Sequence, residues 1–206
     1  METDGALIEW SVRGRPDAFV EVVRRHEVAV HKFLARRAGR DSADDLLGEV
    51  WVRAFGGRHT FRPEHANALP WLYGIARNVL RAHWRTVRAN RTAPGAGAAE
   101  VDEPVDPWDE VVERLDSAAW ARELAAAMRE LPSACREVLL LVAWEELTPA
   151  EAAEVLGIPQ GTARSRLHRA RAALRLALAR GGTRGDGEED TCLSSGRNKT
   201  TPAKTR

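Results

Sequence analysis

The stretch LTPAEAAEVLGIPQGTARSRLHRARAALR, residues 147–175, admits few folds. Thr148-Pro149-Ala150-Glu151 is a complete helix start. The threonine hydroxyl accepts a backbone N–H, proline at the first helical position gives up an N–H that has no partner there, and glutamate stands three residues after the cap. The helix is expected to run to Leu156. Gly157 then supplies a left-handed exit, and Pro159 prevents simple continuation. A second helix is predicted from about Gln160. Two helices joined by a tight glycine-containing turn make a helix-turn-helix.

On the second helix Ala163, Leu167, Ala170, Leu174 and Leu178 share one stripe and are expected to be buried. Arg164, His168, Arg171 and Arg175 lie roughly opposite, with Ser165 and Arg169 beside them. Small and apolar inside, arginine and serine outside, is the layout of a helix that enters a DNA major groove. The plainer alternative is a surface helix of an ordinary bundle.

The net charge of +1 conceals this basic face. Residues 160–184 hold seven arginines and no acid, and residues 70–91 hold five and no acid. Residues 92–117 between them carry eight acids and one basic residue, Arg114. Two basic blocks are therefore offset by an acidic connector, which is expected to shield them in the free protein.

The sequence reads as all-α. Helical patterning covers about residues 17–90, and resumes near residue 110 to run to about residue 180. The intervening RTAPGAGAAEVDEPVDPWDE has linker composition. The expected organisation is a helical domain at 17–91, a flexible acidic linker at 92–117, a helix-turn-helix domain at 118–180 and a disordered tail at 181–206.

Within the first domain, DSADDLLGEVWVRAF opens with Ser42 three residues before Asp45, a variant capping box. Leu46, Val50 and Ala54 then mark an apolar face, with Asp45, Glu49 and Arg53 as a charged stripe beside it. A later helix is predicted to start at Pro70. On it Gly74, Arg77, Asn78, Arg81, Arg85 and Arg88 fall within about a third of the circumference, and Trp71 borders them. A positive stripe beside an aromatic suits a single nucleic-acid strand, because phosphates follow the charge and bases stack on rings. A solvated arginine face with Trp71 in the core is the other reading.

Two cysteines, Cys135 and Cys192, form neither a disulfide framework nor a metal site, so no cofactor is expected. The chain has no HExxH, Gly-rich phosphate loop or nucleophile elbow, and six scattered histidines do not make an enzyme. No apolar run approaches the length of a membrane span, and METDGALIEW is not a signal peptide, so a cytoplasmic protein is expected.

These residues also carry a family resemblance. ELPSACREVLLLVAWEELTPAEAAEVLGIPQGTARSRLHRARAAL in the second domain, and DSADDLLGEVWVRAF and PWLYGIARNVLRAHWR in the first, resemble a bacterial sigma factor of the sigma-70 family, extracytoplasmic-function (ECF) group. The resemblance covers roughly residues 17–178. It implies partners: core RNA polymerase, promoter DNA as a −35 duplex and a −10 single strand, and an anti-sigma factor, with no membrane insertion. It also implies roles. Asp44, Asp45, Leu46, Glu49 and Arg53 would face the polymerase. The loop 57–67, with Phe61 and Asn67, would hold a flipped −10 base, while Trp71, Arg77, Asn78, Arg81 and Arg85 hold the strand. Arg164, Ser165, His168 and Arg169 would contact the −35 element, with Arg166 and Arg171 as phosphate or packing residues. Gly48 stands where such proteins often have glutamine in the polymerase-facing helix, which loosens that helix slightly, and His168 departs from the usual pattern, so −35 specificity does not carry over from a relative. A helix-turn-helix repressor accounts for residues 147–178 equally well, but not for the Trp-bordered basic helix or the acidic connector.

Overall fold

The structure, a computed structural model, describes residues 2–91 and 119–182; the acidic connector and all but the start of the tail lie outside them. Helices α1 (Asp4–Val12), α2 (Ala18–Ala38) and α3 (Arg40–Gly57) lead into a single 3-10 turn (Arg58–Thr60) and then α4 (Leu69–Arg91). The second half holds α5 (Ala119–Glu130), α6 (Ser133–Trp144), α7 (Pro149–Leu156) and α8 (Gln160–Gly182). Among the described residues there is no strand.

The helical periodicity explains the first core. Val22, Val30, Phe33 and Leu34 of α2, Ala43, Leu46, Val50 and Ala54 of α3, and Leu72, Ala76 and Val79 of α4 are all buried. Phe33 stacks on Tyr73 at a centroid distance of 4.7 Å. The start of α3 differs from expectation. The chain turns at Gly39 (φ 79), and α3 begins directly at Arg40 with no side-chain cap. Ser42 therefore sits inside the first turn instead of capping it. The short helix α1 also lacks a strong sequence signal, because its apolar residues Leu7 and Ile8 are adjacent and not spaced along one face.

The second core gathers Met128, Leu131, Val138, Leu139, Leu140, Ala163, Leu167 and Ala170. The predicted cap forms in full: Glu151 N–H donates to Thr148 Oγ1 at 3.2 Å, and Thr148 N–H donates to Glu151 Oε2 at 2.8 Å. At the other end of α7, Gly157 is left-handed at φ 65. The N–H groups of Gly157 and Ile158 close onto the carbonyls of Glu154 and Ala153 at 3.1 and 3.0 Å. A Cβ at Gly157 would meet nothing within 4 Å, so its cost there is purely conformational. Gly157→Ala is expected to destabilise the protein by about 1–2 kcal/mol, read as a lower midpoint in urea unfolding with an unchanged slope.

Leu178 departs from the predicted buried stripe. It is exposed, as is Leu176, because α8 outruns the second core, whose last contributor is the half-buried Leu174.

The two halves pack on each other. Leu141, Leu147, Ala152 and Val155 join the first core instead of the second. At their margin, the Glu145 carboxylate is almost fully buried and accepts hydrogen bonds from Arg36 and from Arg37 Nη1, the latter at 2.9 Å. Arg37 also donates to Phe33 O at 3.1 Å and lies 3.7 Å above the Phe33 ring. Burial pushes the Arg37 guanidinium down from its ordinary pKa, against the opposing pull of Glu145. Burial, followed by the Glu145 charge, raises the Tyr73 phenol. Two further pairs cross the boundary: Arg77 with Glu137, and His65 with Glu154 at 3.8 Å.

Candidate nucleic-acid interface

α8 presents the face expected of it. Arg164, Ser165, His168, Arg169 and Arg171 are exposed and Arg166 is half-buried, while Ala163, Leu167 and Ala170 on the other side are buried. Among the described residues no acid pairs with Arg164, Arg166, Arg169 or Arg171. The Ser165 hydroxyl donates to Thr162 O at 3.1 Å, which leaves its lone pairs outward. Such a face matches a polyanion, since binding gives up no existing ion pair.

The second group assembles around α4. Phe61, Asn67, Trp71, Arg77 and Asn78 line one cleft of about 620 Å³, whose opposite wall is Glu154, Val155, Leu156 and Gly157 of α7 and its turn. Arg81 and Arg85 are not part of this cleft. They continue along the exposed face of α4 from Asn78, at three- and four-residue steps. Asn67 is exposed, but its Oδ1 accepts the Leu69 N–H at 2.9 Å and so caps α4.

Two expected contacts are corrected. Phe61 is buried, held edge-on by Trp71 at 5.3 Å and by His65 at 6.3 Å, because the loop before α4 folds its aromatic residue inward. It shapes the cleft and does not project from it. Leu46 is buried in the first core between α2 and α4, so it is unavailable to a partner. The rest of the α3 stripe is exposed: Asp44, Asp45, Glu49 and Arg53. Arg53 pairs with Glu49, and Asp44 with His31 at 3.0 Å. Val52 stands beside this stripe with 73% of its surface exposed, an apolar residue that the charge pattern passes over.

Arg77 lies on the predicted basic stripe, yet Glu137 of α6 holds it in a two-point ion pair. The acids that cover the first half are therefore Glu137, Glu145 and Glu154 of the second half. Their partners lie far away in sequence, and no local pattern marks them.

A family model described as Sigma-70 region 2 matches residues 22–90, and one described as Sigma-70, region 4 matches residues 121–174. The chain belongs to the sigma-70 family. Its relatives include the ECF RNA polymerase sigma factor SigC of Mycobacterium tuberculosis, 34% identical over 173 residues, covering 82% of this chain and 88% of that one. SigM of the same species is 33% identical over 174 residues, covering 84% and 83%. Among solved structures, CnrH in complex with the cytosolic domain of CnrY matches at a TM-score of 0.57 and 26% identity, covering 86% of this chain and 97% of that one. The sigma factor RpoE in complex with the anti-sigma factor NepR, from Bartonella quintana, matches at 0.55 and 21%, covering 78% and 96%, a likeness of fold.

In this ECF sigma factor the two matched regions hold the two basic faces, α4 in the first and α8 in the second. Helix α1 precedes the first matched region, while the residues it contacts, among them Arg25, His26 and Ala68, lie within it. Among the described residues no helix is long and apolar enough to cross a membrane, and no cluster of His, Cys, Asp or Glu is suited to a metal ion.

Proposed function

We propose that this ECF sigma factor binds core RNA polymerase, reads a −35 duplex through α8, and captures an unstacked −10 strand along α4 and the loop before it. The observation that carries the proposal is the acid-free arginine face of α8, which follows the capped helix α7, with a second basic face on α4. Arg164, Ser165, His168 and Arg169 contact bases or phosphates, with Arg171 and the half-buried Arg166 supporting them. Asn67, Trp71, Asn78, Arg81 and Arg85 hold the single strand, and Arg77 joins them once Glu137 withdraws. Capture of an unstacked base offsets part of the cost of melting, so the protein acts by binding and not by catalysis. Residues 17–91 and 118–180 serve as the two reading domains, with 92–117 as their tether.

The packed state supports one further element. With α6 and α7 against α4, the cleft around Trp71 and Asn78 is walled on one side and Arg77 is neutralised. Reading of the −10 strand therefore requires the two halves to separate, and polymerase binding supplies that step. An inhibitory protein partner, an anti-sigma factor, belongs to the same proposal. Its support is the likeness to CnrH, which was solved with the cytosolic domain of CnrY.

The test is run-off transcription with sigma-free core polymerase on genomic promoter fragments. Discrete starts that depend on this protein are expected, with shared −35 and −10 sequences upstream. A dimeric footprint on duplex DNA without polymerase would indicate a repressor instead. For the polymerase face, Asp45→Ala is expected to weaken core binding by about 1–2 kcal/mol, roughly 5–30-fold. Affinity of the protein for a −35 duplex should not change. Titration of labelled core polymerase checks the first statement, and anisotropy on the duplex checks the second.

A further inference from the structure

The loop between the 3-10 turn and α4 contains no regular secondary structure, and one side of it is held by α1. Asp4 is buried at the start of that helix. Its Oδ2 accepts the Ala68 N–H at 2.9 Å and meets His26 Nε2 at 2.6 Å, while Oδ1 accepts from Arg25 Nη1 at 3.1 Å. Asp4 N–H in turn donates to Ala66 O at 3.3 Å. Burial opposes the charge of this carboxylate, but the bonds from Ala68, His26 and Arg25 outweigh it and hold the group below its ordinary pKa.

The next residue makes the approach possible. A Cβ on Gly5 would lie 2.3 Å from Pro63 O and 3.0 Å from His65 O, both backbone atoms of the loop. Glycine within a helix lowers its stability, so its presence there has a steric reason: the loop backbone rests directly on α1. Asp4 and Gly5 thus clamp the loop at 63, 65, 66 and 68, while the Asn67 cap and the Phe61–Trp71 contact tie it to α4.

We infer that Asp4 and Gly5 are positioning residues for base preference at the −10 element, acting through the shape of the loop 61–68. The inference rests on the proposed role of that loop in holding the unstacked base. A loop already held in its binding shape spends none of the contact energy on ordering itself. A loop freed from α1 must be ordered on binding, and a softer pocket accepts the wrong base more readily. Specificity is then written partly in a helix that lies ahead of the matched region 2, residues 22–90.

The experiment uses the full chain assembled with core polymerase. The probes are fluorescent single-stranded oligonucleotides carrying the −10 non-template sequence of a promoter mapped by run-off transcription, with each base replaced in turn. The readout is the ratio of affinities for the best and worst base at each position. Core affinity and −35 duplex binding are measured in parallel, and a merely structural defect would move those too.

Asp4→Ala and Gly5→Ala are expected to compress the best-to-worst ratio about tenfold at one position, with core and −35 binding unchanged. Asp4→Asn keeps an acceptor for Ala68 and is expected to restore part of the ratio. If Asp4→Ala fails to form holoenzyme, Asp4→Asn and Gly5→Ala decide. Wild-type ratios in those variants, while Asn67→Ala loses discrimination, would overturn the positioning role and leave the loop as the base reader. If the wild-type holoenzyme shows no base preference, or Asn67→Ala does not alter it, the loop is not the reader and both proposals fall.

Discussion

In a Glu145→Ala variant the two halves are expected to part while each stays folded. The carboxylate is 1% exposed and pairs with both Arg36 and Arg37 from across the boundary. Its removal leaves the Arg36 and Arg37 guanidinium groups without their carboxylate at a poorly solvated site. Breaking a buried pair in this way costs about 3–5 kcal/mol, between two and four powers of ten in the closed-to-open ratio. Separation returns Arg36 and Arg37 to water and recovers much of that cost, so opening is favoured over unfolding. The same opening frees Arg77 from Glu137 and removes the α7 wall of the cleft. The variant should therefore show a larger radius of gyration by small-angle scattering, and should bind a −10 single strand without polymerase more tightly than the wild type. An unchanged radius together with unchanged single-strand binding would mean that the apolar contacts of Leu141, Leu147, Ala152 and Val155 hold the halves together without the ion pairs.

The second large effect is expected on α8. Arg169→Ala and Arg164→Ala should each lower holoenzyme affinity for a −35 duplex by about 1–3 kcal/mol if the residue reads a base, with relaxed preference at one position. A residue that holds only phosphate should instead weaken all sequences alike and reduce the salt slope by about one. Binding isotherms at several salt concentrations, on the best site and on single-base variants, separate the two. Arg166 is the internal control, because it is half-buried and its loss should disturb packing beside Leu167 as well as charge. No measurable change in any of these substitutions would remove α8 from the interface.

The features that the sequence announces are local ones. The Thr148–Glu151 capping box, the left-handed Gly157 and the buried stripe of Ala163, Leu167 and Ala170 all appear as expected, because each depends on residues within one or two turns of each other. The apolar face of α3 follows for the same reason. Ser42 misleads because the cap position is set by where α2 stops, at Gly39, and not by the serine. Phe61 and Leu46 mislead because their burial depends on what α1, α2 and α4 place over them.

The acidic connector, expected to shield the basic surfaces, lies outside the described residues. Within the described residues, acids of the second half cover part of the first. Glu145 meets Arg37 at a separation of 108 residues, and Glu137 meets Arg77 at 60. Pairing over such distances leaves no periodic trace in either segment.

The sequence by itself determined an all-α chain, its capped helix pair and two acid-free arginine faces, since helix periodicity and cap chemistry are properties of neighbouring residues. The tertiary structure decided which of those charges remain free. Arg81, Arg85, Arg164 and Arg169 face outward, while Arg77 is held by Glu137. It also set the loop 61–68 against Asp4 and Gly5. Those outcomes depend on which helix is packed over which, and contacts between distant segments are made only when the cores close.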